Sequence, residues 1–380
     1  TLAVCPLLML WAQEGGLRLG AGFAWGVAGL GALLWTVRLL RGRRSGERFS
    51  ALAVLRSPNL LPNLFLVILL GLVAFSRLWA FRSAAAPLWG DSVQHTVMAQ
   101  LILDHGGLFH SWQPYSPYLS LTVQYGFSAG AAVWAWLTGQ PVWQAVVVFG
   151  QLLNLLAVAA WYPLACRLAN GNRWAGVSAV LIAGLLSTVP GFYSNWGRYA
   201  QLAGQTVLPV ALWLSWDLIE RRRFEWRGAL LLGVSLAGML LCYYRMAFYY
   251  AGFVAVLLAV EWLARSKGWK DRRAALASLA AAAGLLVVLL VPWILQVQGG
   301  VLADRVASGV VNQSPVQSLL IDYANWRDMT AYVSLPLLIL AGLGFVVALL
   351  RRRWLVAGLL VWTALLAAGG AATLTRPPGA

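Results

Sequence analysis

The stretch AALASLAAAAGLLVVLLVPWILQV, Ala274–Val297, decides the fold. It runs 24 residues without a charged side chain. At 1.5 Å per residue a helix of that length spans about 36 Å, enough for the roughly 30 Å hydrocarbon core of a bilayer. Inside hydrocarbon the backbone must satisfy its own hydrogen bonds, which leaves helices or a closed barrel. Barrel strands alternate apolar and polar residues. This stretch is apolar on every side, so it predicts a helix.

The same reading extends along the chain. Of its 380 residues, 61% are hydrophobic and 11% charged, against about 25% charged in a soluble domain. Further spans are expected at about 1–13 (partial), 19–38, 60–81, 121–138, 142–166, 174–190, 199–219, 228–244, 246–264, 331–350 and 354–373. The fold class is therefore all-α, a polytopic bundle of about 11–12 membrane segments. Residues 1–57 make an N-terminal pair of helices and a basic loop; 58–380 make the main module, with long loops at 82–120 and 298–330. Cys5, Cys166 and Cys242 lie apart in apolar surroundings and read as packing residues. The chain opens inside an apolar run without an initiator Met, as a piece of a longer protein would.

The net charge of +16 does not point to nucleic acid, because the basic residues sit in short clusters between apolar runs. Those clusters are 38–56, 167–173, 221–227, 265–273 and Arg351–Arg353. Cytoplasmic loops collect Lys and Arg, so these loops are assigned to the cytoplasm. The stretch 82–120, the segment 191–199, the turn at Arg245 and the loop 298–330 then share the outer face. Either span 121–138 does not cross, and Gly126, Gly130 and Gly139 suit a short or re-entrant helix, or the weak pair Arg167 and Arg173 breaks the charge rule.

Ionisable chemistry gathers on that outer face. Trp89-Gly90-Asp91-Ser92-Val93-Gln94-His95 opens an amphipathic helix, with Val93, Val97, Leu101 and Ile102 at helical spacing. Asp91 or Ser92 is placed to cap it. Asp91 and His95, four apart, share a face. All three histidines of the chain, His95, His105 and His110, fall in this loop, as does Asp104. An Asp-x-x-x-His pair admits a divalent metal, but two ligands are too few to define a site, so no metal or other cofactor is assigned. A second element is Tyr193-Ser194-Asn195-Trp196-Gly197-Arg198-Tyr199-Ala200-Gln201, and a third is the turn Tyr243-Tyr244-Arg245. If Arg198 and Arg245 approach Asp91, one carboxylate meets two guanidinium groups, which bind phosphate through paired hydrogen bonds. Asp304, Arg305, Asp322, Tyr323, Trp326, Arg327 and Asp328 read as solvated charges.

The segment Leu88-Trp89-Gly90-Asp91-Ser92-Val93-Gln94-His95 resembles the first-loop acidic motif of the GT-C fold glycosyltransferases. Asn195-Trp196-Gly197-Arg198-Tyr199-Ala200-Gln201 is similar to a motif in uncharacterised members of that group. Where many relatives carry an acidic pair, this chain has Asp91-Ser92. The resemblance covers roughly residues 58 to 350 and implies inverting transfer of a sugar from a polyprenyl-phosphate carrier to a hydroxyl of a glycan, lipid or protein acceptor. It implies a prokaryotic cell membrane and an extracytoplasmic site. Asp91 would be the general base, aided by His95, with Arg198 and Arg245 holding the donor phosphate. Trp89, Tyr193, Asn195, Trp196, Tyr199, Gln201, Tyr243 and Tyr244 would line the pocket. A secondary transporter and a non-enzymatic subunit of a larger assembly are the alternatives. Against transport, Asp217, Glu220 and Glu261 fall near span ends rather than centres.

Overall fold

The computed structural model describes residues 2–44, 58–84, 86–117, 124–221, 223–263, 269–298 and 334–372. The loop charges Asp304 to Asp328 lie outside the described residues. The described chain is helical, without strands. In order the helices are α1 (Val4–Glu14), α2 (Ala21–Arg44), α3 (Leu60–Ala80), α4 (Gly90–His105), α5 (Gly126–Thr138), α6 (Val142–Ala159) and α7 (Trp161–Leu168). After α8 (Arg173–Leu181) comes one π-helical turn (Ile182–Leu186). Then follow α9 (Gly191–Asn195), α10 (Tyr199–Glu220), α11 (Trp226–Cys242), α12 (Met246–Leu263), α13 (Trp269–Gln298), α14 (Leu335–Leu350) and α15 (Trp354–Ala372).

Among the described residues six helical stretches are long and apolar enough to cross a membrane: Ala21–Arg41, Leu60–Ala80, Val142–Leu168, Tyr199–Glu220, Met246–Leu263 and Lys270–Gln298. Arg173–Leu186, Trp226–Cys242, Leu335–Leu350 and Trp354–Leu365 are shorter and also apolar. The expected 11–12 segments correspond to these ten and to two shorter helices, α1 and α5, which have 11 and 13 residues. Helices of that length reach only about 16–20 Å, short of the hydrocarbon thickness.

α10 is the axis of the bundle. It packs against α5, α6, α11, α12 and α13, and Ala200, Ala203, Gly204 and Ala211 are buried along it. Small residues let helix backbones approach where solvent-driven attraction is absent. Gly204 lies against Tyr243 and Met246, Gly233 of α11 against the Ala282 carbonyl of α13, and Gly238 against Ala3 just before α1. The outer helices carry the opposite pattern. Leu30, Leu33, Leu34 and Trp35 on α2, and Leu64, Phe65, Ile68 and Leu72 on α3, are exposed. Apolar surface of that extent belongs in lipid.

Charge separates the bundle into two ends. At one, Arg173 donates to Asn63 at 2.8 Å, Arg167 to Glu220 at 2.8 Å, and the Glu225 amide to Ser278 at 3.2 Å. Gly252 lies against Trp362 and Gly358 against Val256, so α15 runs antiparallel to α12 and brings Arg351–Arg353 to this same basic end. At the other end, Asp91 meets Arg198 and Gly126 meets Cys242. α5 begins there, and Gly139 to Pro141 lead directly into the long α6–α7 stretch that ends at Leu168 on the basic side. Both ends of α5 therefore lie on the Asp91 side, consistent with a helix that does not cross.

One polar cluster is built into the packing. Arg77 of α3 donates to the Asn154 amide oxygen at 3.1 Å and to the Gly184 carbonyl in the π turn at 2.8 Å. Asn154 in turn donates to Ser194 at 2.6 Å and to the Pro190 carbonyl at 3.1 Å. Gly191 lies directly on the guanidinium, where any side chain would collide. A charge among apolar helices needs such partners, and this cluster fixes α9 on α3 and α6. Asn154→Leu removes one of the two partners of Arg77 and the donor to Ser194, and should destabilise the fold by about 2–4 kcal/mol. Thermal unfolding of the detergent-solubilised protein checks this; an unchanged midpoint would show the cluster to be dispensable.

Candidate functional site

The site is assembled from the start of α4, the turn before α10 and the turn between α11 and α12. α4 begins after Trp89, whose backbone stands at φ +66°, ψ 162°. That region is strained for any residue with a Cβ, at about 1–3 kcal/mol, and the indole itself is largely exposed. Neither Asp91 nor Ser92 caps the helix: the N-cap position is Trp89, without a side-chain cap. Ser92 donates its hydroxyl back to the Leu88 carbonyl. Asp91 sits in the first turn and is free to look outward.

Its partner is Arg198. Asp91 Oδ2 and Arg198 Nη1 are 3.1 Å apart, with side-chain exposures of 49% for Asp91 and 32% for Arg198. Arg198 also lies over the Trp196 ring at 4.5 Å. A cation between an indole face and a carboxylate is well oriented, yet it remains accessible to solvent and to a third group. Gly197 makes this approach feasible. Its φ of +70° suits glycine, and a Cβ there would strike the Ser92 hydroxyl and amide. The tight contact holds the start of α4 against the Arg198 turn.

Behind the ion pair stands His95. Its Nδ1 is 3.2 Å from the Ser128 hydroxyl of α5, and its ring meets Phe127 edge-on at 5.0 Å. Burial, with the Arg198 charge beside it, lowers the His95 pKa to about 4. The imidazole is therefore neutral at physiological pH. Tyr199 stacks on Phe127 at 4.8 Å and is fully buried. It was expected to line a substrate pocket; it forms the packed wall behind His95 instead.

The remaining expected residues divide. Asn195 is exposed and Trp196 partly so. Tyr193 accepts a hydrogen bond from Gln201 at 3.0 Å, which ties α9 to α10. Arg245 donates to the Tyr244 hydroxyl at 3.3 Å rather than to Asp91. Tyr243 links the two arginines electrostatically. Burial raises its pKa, while the positive charges of Arg245 and Arg198 oppose that rise. Asp91, Arg198, Tyr243 and Arg245 thus share one end of the bundle.

Of the apolar positions at helical spacing on α4, Leu101 and Ile102 are buried and Val93 is 59% exposed; the other buried positions are Ser92, Met98 and Ala99. The helix packs against both α5 and α6, so its inner face is chosen by neighbours rather than by an apolar stripe. The histidines also separate: His105 bonds to the Leu101 carbonyl at 2.9 Å and His110 lies beside Gln13 at 3.2 Å. Asp104 accepts from Gln100 at 2.8 Å. Among the described residues no group of three His, Cys, Asp or Glu side chains could hold a metal ion, so Asp91 and His95 gain no third protein ligand there. Ser128 and the Arg77–Asn154 pair shape the site without having been singled out.

The neutral His95 gives a pH dependence. Its folded pKa of about 4 lies below the ordinary 6.5, so the unfolded chain binds more protons between those values. Stability is therefore complete above pH 6.5 and is lost as pH falls toward 4, on the order of 2–3 kcal/mol in full. His95→Gln keeps a hydrogen bond to Ser128 and should remove this part of the acid-side loss. Unfolding midpoints of both proteins between pH 7 and pH 4 measure it; parallel curves would mean that His95 titrates normally.

No curated protein and no solved structure matches the chain. One family model does, over residues 1–378, nearly the full length. The chain belongs to a family of unknown function, DUF6541.

Proposed function

We propose that this chain is an inverting membrane glycosyltransferase that takes a sugar from a polyprenyl-phosphate carrier at the extracytoplasmic face. The observation that carries the reading is the solvent-accessible Asp91–Arg198 pair, 3.1 Å long, at the end of the bundle opposite the basic loops. The positive-inside rule assigns the basic end to the cytoplasm, and the pair to the outside.

The chemistry follows from the partners. A hydroxyl of the acceptor attacks the anomeric carbon, the bond from that carbon to the phosphate oxygen breaks, and polyprenyl phosphate departs with the electron pair. The hydroxyl proton passes to the Asp91 carboxylate, and the departing negative charge falls to guanidinium groups. In the unliganded arrangement Arg198 and Asp91 neutralise one another. An incoming phosphate competes for Arg198 and frees Asp91, so the base is released as the donor binds. Arg245 supports Arg198 from across Tyr243. His95, neutral and held at Ser128, keeps a second positive charge away from the carboxylate.

The reading needs no metal, since arginines supply the positive charge. Purified protein reconstituted with polyprenyl-phosphate sugars tests it. Asp91→Asn should lower turnover by about 10²–10⁴-fold with the fold intact, the usual worth of a positioned base. Arg198→Ala should raise the donor KM by about tenfold or more, as loss of a charged hydrogen bond does. Unchanged turnover in the first variant and unchanged KM in the second would overturn the proposal.

A further inference from the structure

A cavity of about 690 Å³ lies at the basic end, far from Asp91 along the bundle, lined by Asn63, Leu66, Tyr162, Arg167, Arg173 and Trp216 among others. Its charges are unequally matched. Arg167 is fully engaged: it donates to Glu220 at 2.8 Å and to the Trp213 carbonyl at 3.3 Å, between the Trp213 and Trp216 rings at 4.5 Å each. Glu220 is fixed in turn by the Trp216 indole at 2.8 Å. Arg173 has no such balance. It donates to the Asn63 amide oxygen at 2.8 Å, and among the described residues no carboxylate stands within ion-pair distance of it. The cavity therefore carries one net positive charge.

The flank of the cavity is made for lipid. Leu66 of α3 lines it beside Asn63, and on the same helix Phe65 meets the exposed Trp174 at 5.4 Å. Indole rings with Arg beside them mark the depth of lipid headgroups. A ligand that answers both features needs an anionic head for Arg173 and an acyl chain for α3. A free anion would satisfy only the first.

We propose that this cavity holds the phosphate headgroup of an anionic phospholipid of the cytoplasmic leaflet, with Arg173 as its charged contact and the acyl chains along α3. The site is independent of the transferase reading, so either can fail without the other. The indole-clamped Arg167–Glu220 pair lines it on one side, and Asn63 holds Arg173 by its hydrogen bond.

Native mass spectrometry of the detergent-released protein, supplied with phosphatidylglycerol or phosphatidylcholine, tests the proposal. Phosphatidylglycerol should be retained about tenfold better, the 1.4 kcal/mol of one additional charge-assisted contact. Arg173→Gln should abolish the preference and Arg173→Lys should keep most of it. Arg223→Gln removes a charge from the same end, outside the cavity lining, and should leave the preference intact. Inorganic phosphate at millimolar concentration should not displace the lipid. Equal retention of the two lipids by the unaltered protein would overturn the proposal, whatever the variants do. Equal loss in the Arg173 and Arg223 variants would overturn it as general surface attraction, and displacement by phosphate as a soluble-anion site.

Discussion

Hydrocarbon offers no partner to an unpaired charge, and this one constraint sorts the whole chain. Charged side chains are pushed to the two ends of the bundle, and the stretches between are packed by glycine, alanine and leucine. Arg77 follows the rule, in the last turn of α3, where Asn154 and the Gly184 carbonyl reach it. The π turn at Ile182–Leu186 departs from the regular α-helical ladder where Gly184 turns its carbonyl to that arginine. The same polar cluster seats α9, so the pairing of one arginine also fixes a wall of the candidate site.

At the surface the balance changes. An exposed pair such as Asp91–Arg198 contributes little to stability, about 0–1 kcal/mol, so it does not hold α4 in place. Packing does. Gly197 meets Ser92, Tyr199 stacks on Phe127, and His95 meets Ser128. The ion pair rides on that scaffold, and under the proposed function an arriving phosphate exchanges it at low cost. The strained backbone of Trp89, immediately before it, is sustained by the same scaffold. An inexpensive ion pair on a rigid base suits a group that must change partners during a reaction.

Much of this was legible from residue order because long apolar runs and the sign of loop charge carry strong signals. The span at 274–297 and the placing of Asp91 and Arg198 at the end away from the basic loops follow from them; that the two side chains meet does not. The short α1 and α5 were harder, since an apolar run does not reveal whether a helix crosses or stops. The buried face of α4 does not follow its apolar spacing, since Ser92 is buried and Val93 exposed where the helix packs on two neighbours. Ser128 and Asn154 were not legible at all. Their roles depend on partners 33 and 40 positions away, His95 and Ser194, which no local pattern encodes.

The side of the membrane on which the ion pair stands is the point on which a transferase reading turns. Cysteine labelling by a membrane-impermeant maleimide addresses it directly in intact cells, using Asn195→Cys beside Arg198 and Arg223→Cys at the basic end. Both positions are exposed, and Cys5 and Cys242 are buried. Cysteine at 195 should label at once, and cysteine at 223 only after permeabilisation. Labelling in the reverse order, or of both positions together in intact cells, would contradict an outward-facing site opposed to the cytoplasmic arginines.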